Sequence, residues 1–372
     1  MKLKMFITKI AKSTVKAMIR TVGFGILQFF CKEKTDMDLD TARQLLEQVS
    51  PCPEGNTQAK NQMLPCEYDL QIVIPAYNAE RYLKECVDSI LSQETSYTYK
   101  IVLINDGSAD STGAIADSYS FYPNVEVIHQ ENRGFSGARN RGLERICAKY
   151  IAFVDSDDQL APGAIEALMS AAIKEQAEIV EGGFYRLIGD QLSVSHTYKE
   201  KKTVKPLNTL TGFPWGKVWK SDIFLTLKYP EGFWFEDSIF SFLVYPKNYR
   251  SVLIPEVVYI YRDNPNGITN TSANFSKSVD TYWITEMLIK ECRQQNISFD
   301  EAFHEKLMRQ VILNAKRTSK LPIDAQKAIF VLTGSLVTES FEKEAISPKY
   351  KKLDRALRNG NWGLYRLYCK TH

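Results

Sequence analysis

The chain has 372 residues, 44% of them hydrophobic and 24% charged, enough for one large or two moderate domains with a sizeable core and too apolar for wholesale disorder. Its formal net charge of +3 is too small to argue for nucleic acid as a partner. The charge is unevenly spread: residues 1–32 carry seven basic and no acidic residues, and 347–372 carry seven basic and one acidic, so the middle sums to −10.

At the amino end, lysines interleave with Phe6, Ile7, Ile10, Val15, Met18 and Ile19, and "TVGFGILQFFC" follows without a charge. That run is too short to cross a bilayer, and no small-x-small cleavage site follows it. Residues 1–49 read as a basic amphipathic segment lying on an anionic membrane surface, with a core-packing helix as the alternative. Trp362, Tyr365 and Tyr368 stand among basic residues at the carboxyl end and suggest a second weak anchor. The seven cysteines show no metal spacing, and Cys86 and Cys147 fall at apolar helix positions, which fits a reducing cytoplasm.

Residues 50–67, rich in Pro, Gly, Asn and Gln, read as a linker. Then come a strand "DLQIVIP", a helix over "ERYLKECVDSILSQ" with Tyr82, Leu83, Cys86, Val87, Ile90 and Leu91 on one stripe, and a strand "YKIVLIND". A helix from Ser111 to Phe121, a strand "VEVIHQ", a helix over "GARNRGLERIC", a strand "KYIAFVD" and a helix after Pro162 continue the alternation. This order predicts an α/β fold: a mostly parallel sheet with helices on both faces, taking ligands beyond the carboxyl ends of its strands. Residues 206–270 are dense in aromatic residues and proline, and two helical patterns from residue 277 open a helical region to the end. The resulting division is a segment 1–49, a linker 50–67, a main domain 68–275 with halves 68–183 and 184–275, and a helical region 276–372 with a basic end.

Three polar loops converge on that carboxyl edge: "PAYN" (75–78), "NDGS" (105–108) and "DSDD" (155–158). Asp155 and Asp157, one residue apart at a strand end, suit a hard divalent cation that shares its sphere with phosphates. Asp158 suits an N-cap for the next helix. "ENRGFSGARNRG" adds glycines for close backbone approach and arginines for phosphate oxygens. Neither a P-loop nor G-x-G-x-x-G follows the first strand.

"IVIPAYNAERYLKECVDSILSQ", "IVLINDGSADST", "QENRGFSGARNRGL" and "YIAFVDSDDQLAPGAIEAL" together resemble the family 2 glycosyltransferases, inverting enzymes of GT-A fold in bacterial cell-surface polysaccharide synthesis. The resemblance covers residues 70–183 and implies transfer of a hexose or N-acetylhexosamine from a UDP-sugar donor, aided by manganese or magnesium. The acceptor would be a hydroxyl of a glycan or lipid-linked oligosaccharide in capsule, exopolysaccharide or O-antigen synthesis. It further implies that Pro75, Ala76, Tyr77 and Asn78 wrap the nucleotide, with Tyr77 near the uracil. Asp106 would read the base, Arg139 would support uracil or diphosphate, Asp155 would lie near the ribose, and Asp155 and Asp157 would hold the metal.

An inverting transfer needs a base for the acceptor hydroxyl. "GFWFEDSIFSFLVY" resembles the family's E-D motif, so Asp237 is the candidate base and Glu236 its orienting partner. "PWGKVWKSDIF" resembles a W-x-K-x-[YW] segment, putting Trp215 and Lys217 at the donor or acceptor site. "VVYIYRDNPNGIT" puts Arg262 near the diphosphate, although Gly267 stands where the family has serine. The expected placement is peripheral, on the cytoplasmic face of the bacterial plasma membrane, with homodimerisation left open. The competing readings are a catalytically degenerate nucleotide-sugar-binding partner at the membrane, a nucleotidyltransferase, and a metal-free two-carboxylate hydrolase.

Overall fold

The computed structural model describes residues 33–265 and 267–372, and the chain divides into two compact units. Residues 1–32, the greater part of the segment read as membrane-associating, lie outside the described residues. Helix α1 (Leu39–Val49) is N-capped by Asp38 and buries Ala42 and Leu46, so this stretch of 1–49 is a core-packing helix.

The first unit comprises residues 53–271 and 287–297. Its elements follow in order: β1 (Gln62–Ala76), α2 (Leu83–Leu91), β2 (Tyr99–Asp106), α3 (Thr112–Asp117), β3 (Val125–Gln130), α4 (Gly134–Leu143), β4 (Arg145–Phe153), β5 (Gln159–Leu160), α5 (Ala164–Lys174), β6 (Ile179–Ile188), β7 (Gln191–His196), β8 (Lys202–Val204), β9 (Lys217–Lys220) and β10 (Ser251–Arg262). The sheet order is β3-β2-β1-β4-β9-β6-β10-β5, with β7 on β6 and β8 on β10. β1 to β4 are mutually parallel; β9 runs antiparallel to β4 and β6 and joins them to the parallel pair β6–β10. The α/β expectation holds, with a mixed second half.

The stripe of α2 buries Leu83, Cys86, Val87 and Ile90 against the sheet, as its 3.6-residue period requires. After β3 the chain returns across the sheet and lays β4 on the far side of β1, which creates a switch point between the carboxyl ends of β1 and β4. Helix α4 lies very close over the sheet. A Cβ at Gly142 would stand 2.5 Å from Val73 Cγ1, so only glycine permits that approach.

Two sequence expectations change here. β1 begins at Gln62, inside the stretch read as a linker, because a register shift between Met63 and Tyr68 breaks the alternation. Helix α5 is entered through Gly163 at φ +74°, five residues past Asp158, so Asp158 caps nothing.

The second unit comprises residues 33–52, 272–286 and 298–372. It contains the first half of α6 (Asp280–Gln294), then α7 (Glu301–Arg317), α8 (Ile323–Ser340), α9 (Lys351–Arg358) and α10 (Trp362–Thr371). Trp362, Tyr365 and Tyr368 are buried on α10, the first two in a ring cluster with Phe330. They are core residues, which removes them as a membrane anchor. Among the described residues no helix is long and apolar enough to cross a membrane.

Candidate active site

Three parallel strands end in polar loops at the switch point. Pro75 and Ala76 finish β1 with their side chains in the core, leaving Tyr77 54% exposed and Asn78 at φ +46°. The Asn78 backbone N–H donates to Ser108 Oγ (3.1 Å), and its side-chain oxygen accepts from the Ala109 N–H (2.9 Å), tying the first loop to the second. Asparagine is among the side chains that tolerate this left-handed conformation.

Asp106 ends β2 and is buried. One carboxylate oxygen accepts from Gln130 Nε2 (2.6 Å) and the Arg133 N–H (2.9 Å); the other is buried with no partner. A half-satisfied buried carboxylate at a ligand edge is set to take an N–H from outside the chain.

In the third loop, Asp155 accepts from Arg139 Nη2 (2.7 Å), and its own backbone N–H donates to the Tyr259 hydroxyl (3.1 Å). Asp157 Oδ2 accepts from Asn264 (3.0 Å). Burial, together with the charge of Asp155, pushes the Asp157 carboxyl above its usual range despite that bond. Asp158 accepts from the Tyr259 hydroxyl (2.8 Å) and the Arg262 N–H (2.7 Å), and burial, then Asp157 and Asp155, pushes its carboxyl well up. Asp158 thus fastens the loop to β10.

Arg262 lies against this loop: its Nε donates to the Asp157 carbonyl (2.8 Å), its Nη2 to Glu85 (2.5 Å), and its guanidinium covers the Tyr82 ring. A carboxylate pair at a strand end, each member with one oxygen engaged by a neighbour, would suit a divalent cation whose remaining ligands would come from a bound diphosphate. Among the described residues no three metal-ligating side chains form a complete cage.

Arg139 is the centre of the site. It is buried on α4, donates to Asp155 through Nη2 and to Glu236 through Nη1, and leaves Nε without a partner. Burial acts to lower its pKa, but the charges of Asp155 and Glu236 outweigh this and raise it. The same helix and its N-cap residue also hold the stretch just ahead of the E-D segment. Asn140 exchanges two hydrogen bonds with the Tyr229 backbone (2.9 and 2.8 Å), and Arg133 pairs with Glu231 (2.8 Å).

Phe235 sits at φ +65°, a costly conformation for an aromatic residue, immediately before Glu236 and Asp237. The following helical turn widens to a π-turn over Phe240–Val244. Burial pushes Glu236 up to about 7 against the pull of Arg139, with Asp237 adding to the rise.

The folded pKa of Glu236 lies above the ordinary glutamate value of 4.5, so the stability it confers is present below about pH 4.5 and fades as pH rises through about 7. Thermal and urea unfolding of Glu236→Gln from pH 5 to pH 8 should therefore move in the variant's favour relative to wild type by about 3 kcal/mol. A pH-independent difference would refute the elevated carboxyl.

Lys217 departs from its expected place at the donor. Its side chain is wholly buried, 3.1 Å from Glu181 across the β6–β9 register, and donates to Thr211 Oγ1 (2.7 Å) and the Phe213 carbonyl (2.8 Å). Burial lowers its pKa, with Glu181 and Asp237 opposing. Glu181 also accepts from the Tyr198 hydroxyl (2.5 Å) and the Thr211 N–H. Lys217→Met would strand Glu181 in the core and is expected to cost about 3–5 kcal/mol in urea unfolding.

The pairings missing from the sequence reading are Glu181, Tyr198, Tyr259 and Gln130. Only Gln130 left a usable sign, a polar side chain ending a strand beside Asp106.

The chain is 33% identical over 216 residues to an uncharacterized glycosyltransferase, EpsJ, of Bacillus subtilis (strain 168), covering 54% of this chain and 62% of EpsJ. It is 39% identical over 103 residues to the minor teichoic acid biosynthesis protein GgaA of the same organism, covering 26% of this chain and 23% of GgaA. It therefore spans less than two thirds of the length of either relative. The crystal structure of S. aureus TarS 1–349 in complex with UDP-GlcNAc superposes with a TM-score of 0.64 at 19% identity, covering 80% of this chain and 89% of that one. Residues 71–231 match the model of glycosyl transferase family 2, and this stretch is what the chain shares with that family.

Proposed function

We propose that the chain is an inverting transferase. It would move a hexose or N-acetylhexosamine from a UDP-sugar to a hydroxyl of a glycan or lipid-linked oligosaccharide in cell-surface polysaccharide synthesis, working peripherally at the cytoplasmic face of the plasma membrane. The observation that carries the reading is the constellation around Arg139, which joins Asp155 at the acidic strand end to Glu236 beside Asp237, together with a buried Asp106 that has one unpaired oxygen. The UDP-GlcNAc complex of TarS supports a uridine nucleotide donor, and GgaA supports a cell-surface polymer as the product.

The open oxygen of Asp106 suits the N–H of a uracil edge. Asp155 and Asp157 are the residues to hold Mn²⁺ or Mg²⁺, which when bound would neutralise charge on the departing diphosphate. Glu236 is held by Arg139 as the orienting partner, and Asp237, the aspartate of the E-D motif, is the residue to take the acceptor proton. As that O–H bond breaks, the oxygen attacks the anomeric carbon, the bond to the β-phosphate opens, and the configuration inverts.

Incubating the full chain with a panel of nucleotide sugars and Mn²⁺, and following UDP release, tests this reading. Release from a UDP-sugar that chelator abolishes is the expected result. Release from no nucleotide sugar, together with no binding of UDP, would overturn it.

A further inference from the structure

The strand order splits the carboxyl edge into two sides. β3, β2 and β1, with Asp106 and the Tyr77–Asn78 loop, lie on one side of β4; β9, β6 and β10 lie on the other. On that second side the loop 211–216 leads into β9. Phe213 presents its ring 40% exposed and stacks on Trp215, with centroids 4.4 Å apart and planes 6° from parallel. Trp215 stacks in turn on Tyr259 at 4.5 Å and 8°. The Tyr259 hydroxyl then bonds Asp158 and the Asp155 N–H. A column of parallel rings therefore runs from the acidic loop to an open phenyl face.

The loop that carries this face is pinned from beneath. Lys217 donates to the Phe213 carbonyl and to Thr211 Oγ1, Glu181 accepts from the Thr211 N–H, and the Tyr245 hydroxyl donates to the Thr211 carbonyl (2.5 Å). Holding a large apolar ring rigid with 40% of the residue exposed forfeits part of its burial energy. A buried ion pair that fixes its backbone adds desolvation cost. Both costs make sense for a preorganised plate, because a pyranose offers one face of axial C–H groups that lies flat on an aromatic plane, and a rigid ring loses little entropy in receiving it.

We propose that Phe213 is the sugar-stacking plate for the acceptor, a specificity-determining residue held in place by the Lys217–Glu181 pair. The assignment to the acceptor rests on the transferase reading above, since the plate lies across β4 from Asp106.

Saturation-transfer NMR on the full chain tests the plate without relying on catalysis. The probes are methyl β-glucopyranoside and methyl β-N-acetylglucosaminide, with protein aromatic protons irradiated. In wild type, transfer should favour the H1, H3 and H5 face; Phe213→Ala should lose about fivefold or more of it, and Phe213→Tyr should retain it. The melting temperature of Phe213→Ala should stay within about 3 °C of wild type. No transfer in wild type, equal transfer in Phe213→Ala, or a loss that tracks unfolding of the variant would overturn the plate. A wild type that shows Phe213-dependent transfer yet neither binds UDP nor consumes any UDP-sugar leaves the plate standing and overturns the transferase reading instead.

Discussion

Asp237→Asn is expected to lower transfer by about 10²–10⁴-fold while UDP binding with Mn²⁺ stays within about threefold. The substitution keeps the shape of the side chain and removes its negative charge, and with it the ability to accept a proton. Arg139 keeps both of its carboxylate partners, because those are Asp155 and Glu236, so the nucleotide side of the site is left intact. The loss should appear in kcat rather than in the KM for the donor. Single-turnover transfer with isothermal titration of UDP separates the two. Transfer at the wild-type rate would move the base away from Asp237, and a parallel loss of UDP affinity would mean that the residue supports the donor rather than the acceptor.

Asp157→Ala should reduce Mn²⁺-dependent UDP affinity by about 100-fold and make what remains insensitive to chelator. Burial and Asp155 already push the Asp157 carboxyl upward, so the ionised form is held where it is disfavoured unless positive charge is nearby. The ligand-free variant should therefore melt no lower than wild type, offsetting the lost bond from Asn264 by relief of repulsion. In wild type, Mn²⁺ with UDP should raise the melting temperature, and in the variant it should not. Affinity unchanged by both the substitution and chelator would remove the metal assignment.

Much of this architecture was legible because strand and helix periods are local. β2, β3 and α7 fall where alternation and the 3.6-residue stripe put them, and the loops of the ordered motifs lie at the carboxyl ends of the strands that precede them. The reading failed where the deciding partner is distant. Lys217 looks like a ligand-facing cation until Glu181, 36 positions earlier, is brought opposite it by strand register. Asp158 looks like a cap until Tyr259 and Arg262, more than 100 residues on, are seen to claim it. The amino end of β1 is concealed by its register shift, and the start of α4 by glycines that carry no helical signal. The aromatic residues of α10 have the composition of an interface but are covered by other helices of their own unit.

Arg139 reaches Asp155 at a separation of 16 residues and Glu236 at 97. The near partner is in place as soon as the first four strands have formed, whereas the far one emerges only with the last third of the domain. A growing chain that stops between them holds a buried guanidinium whose charge is met by Asp155 but whose Nη1 lacks its acceptor, which costs the compact state the desolvation of that group. The fragment of the first four strands is therefore less well satisfied than the whole unit, and the turn that carries Glu236 closes the last hydrogen bond of a side chain laid down nearly a hundred residues earlier.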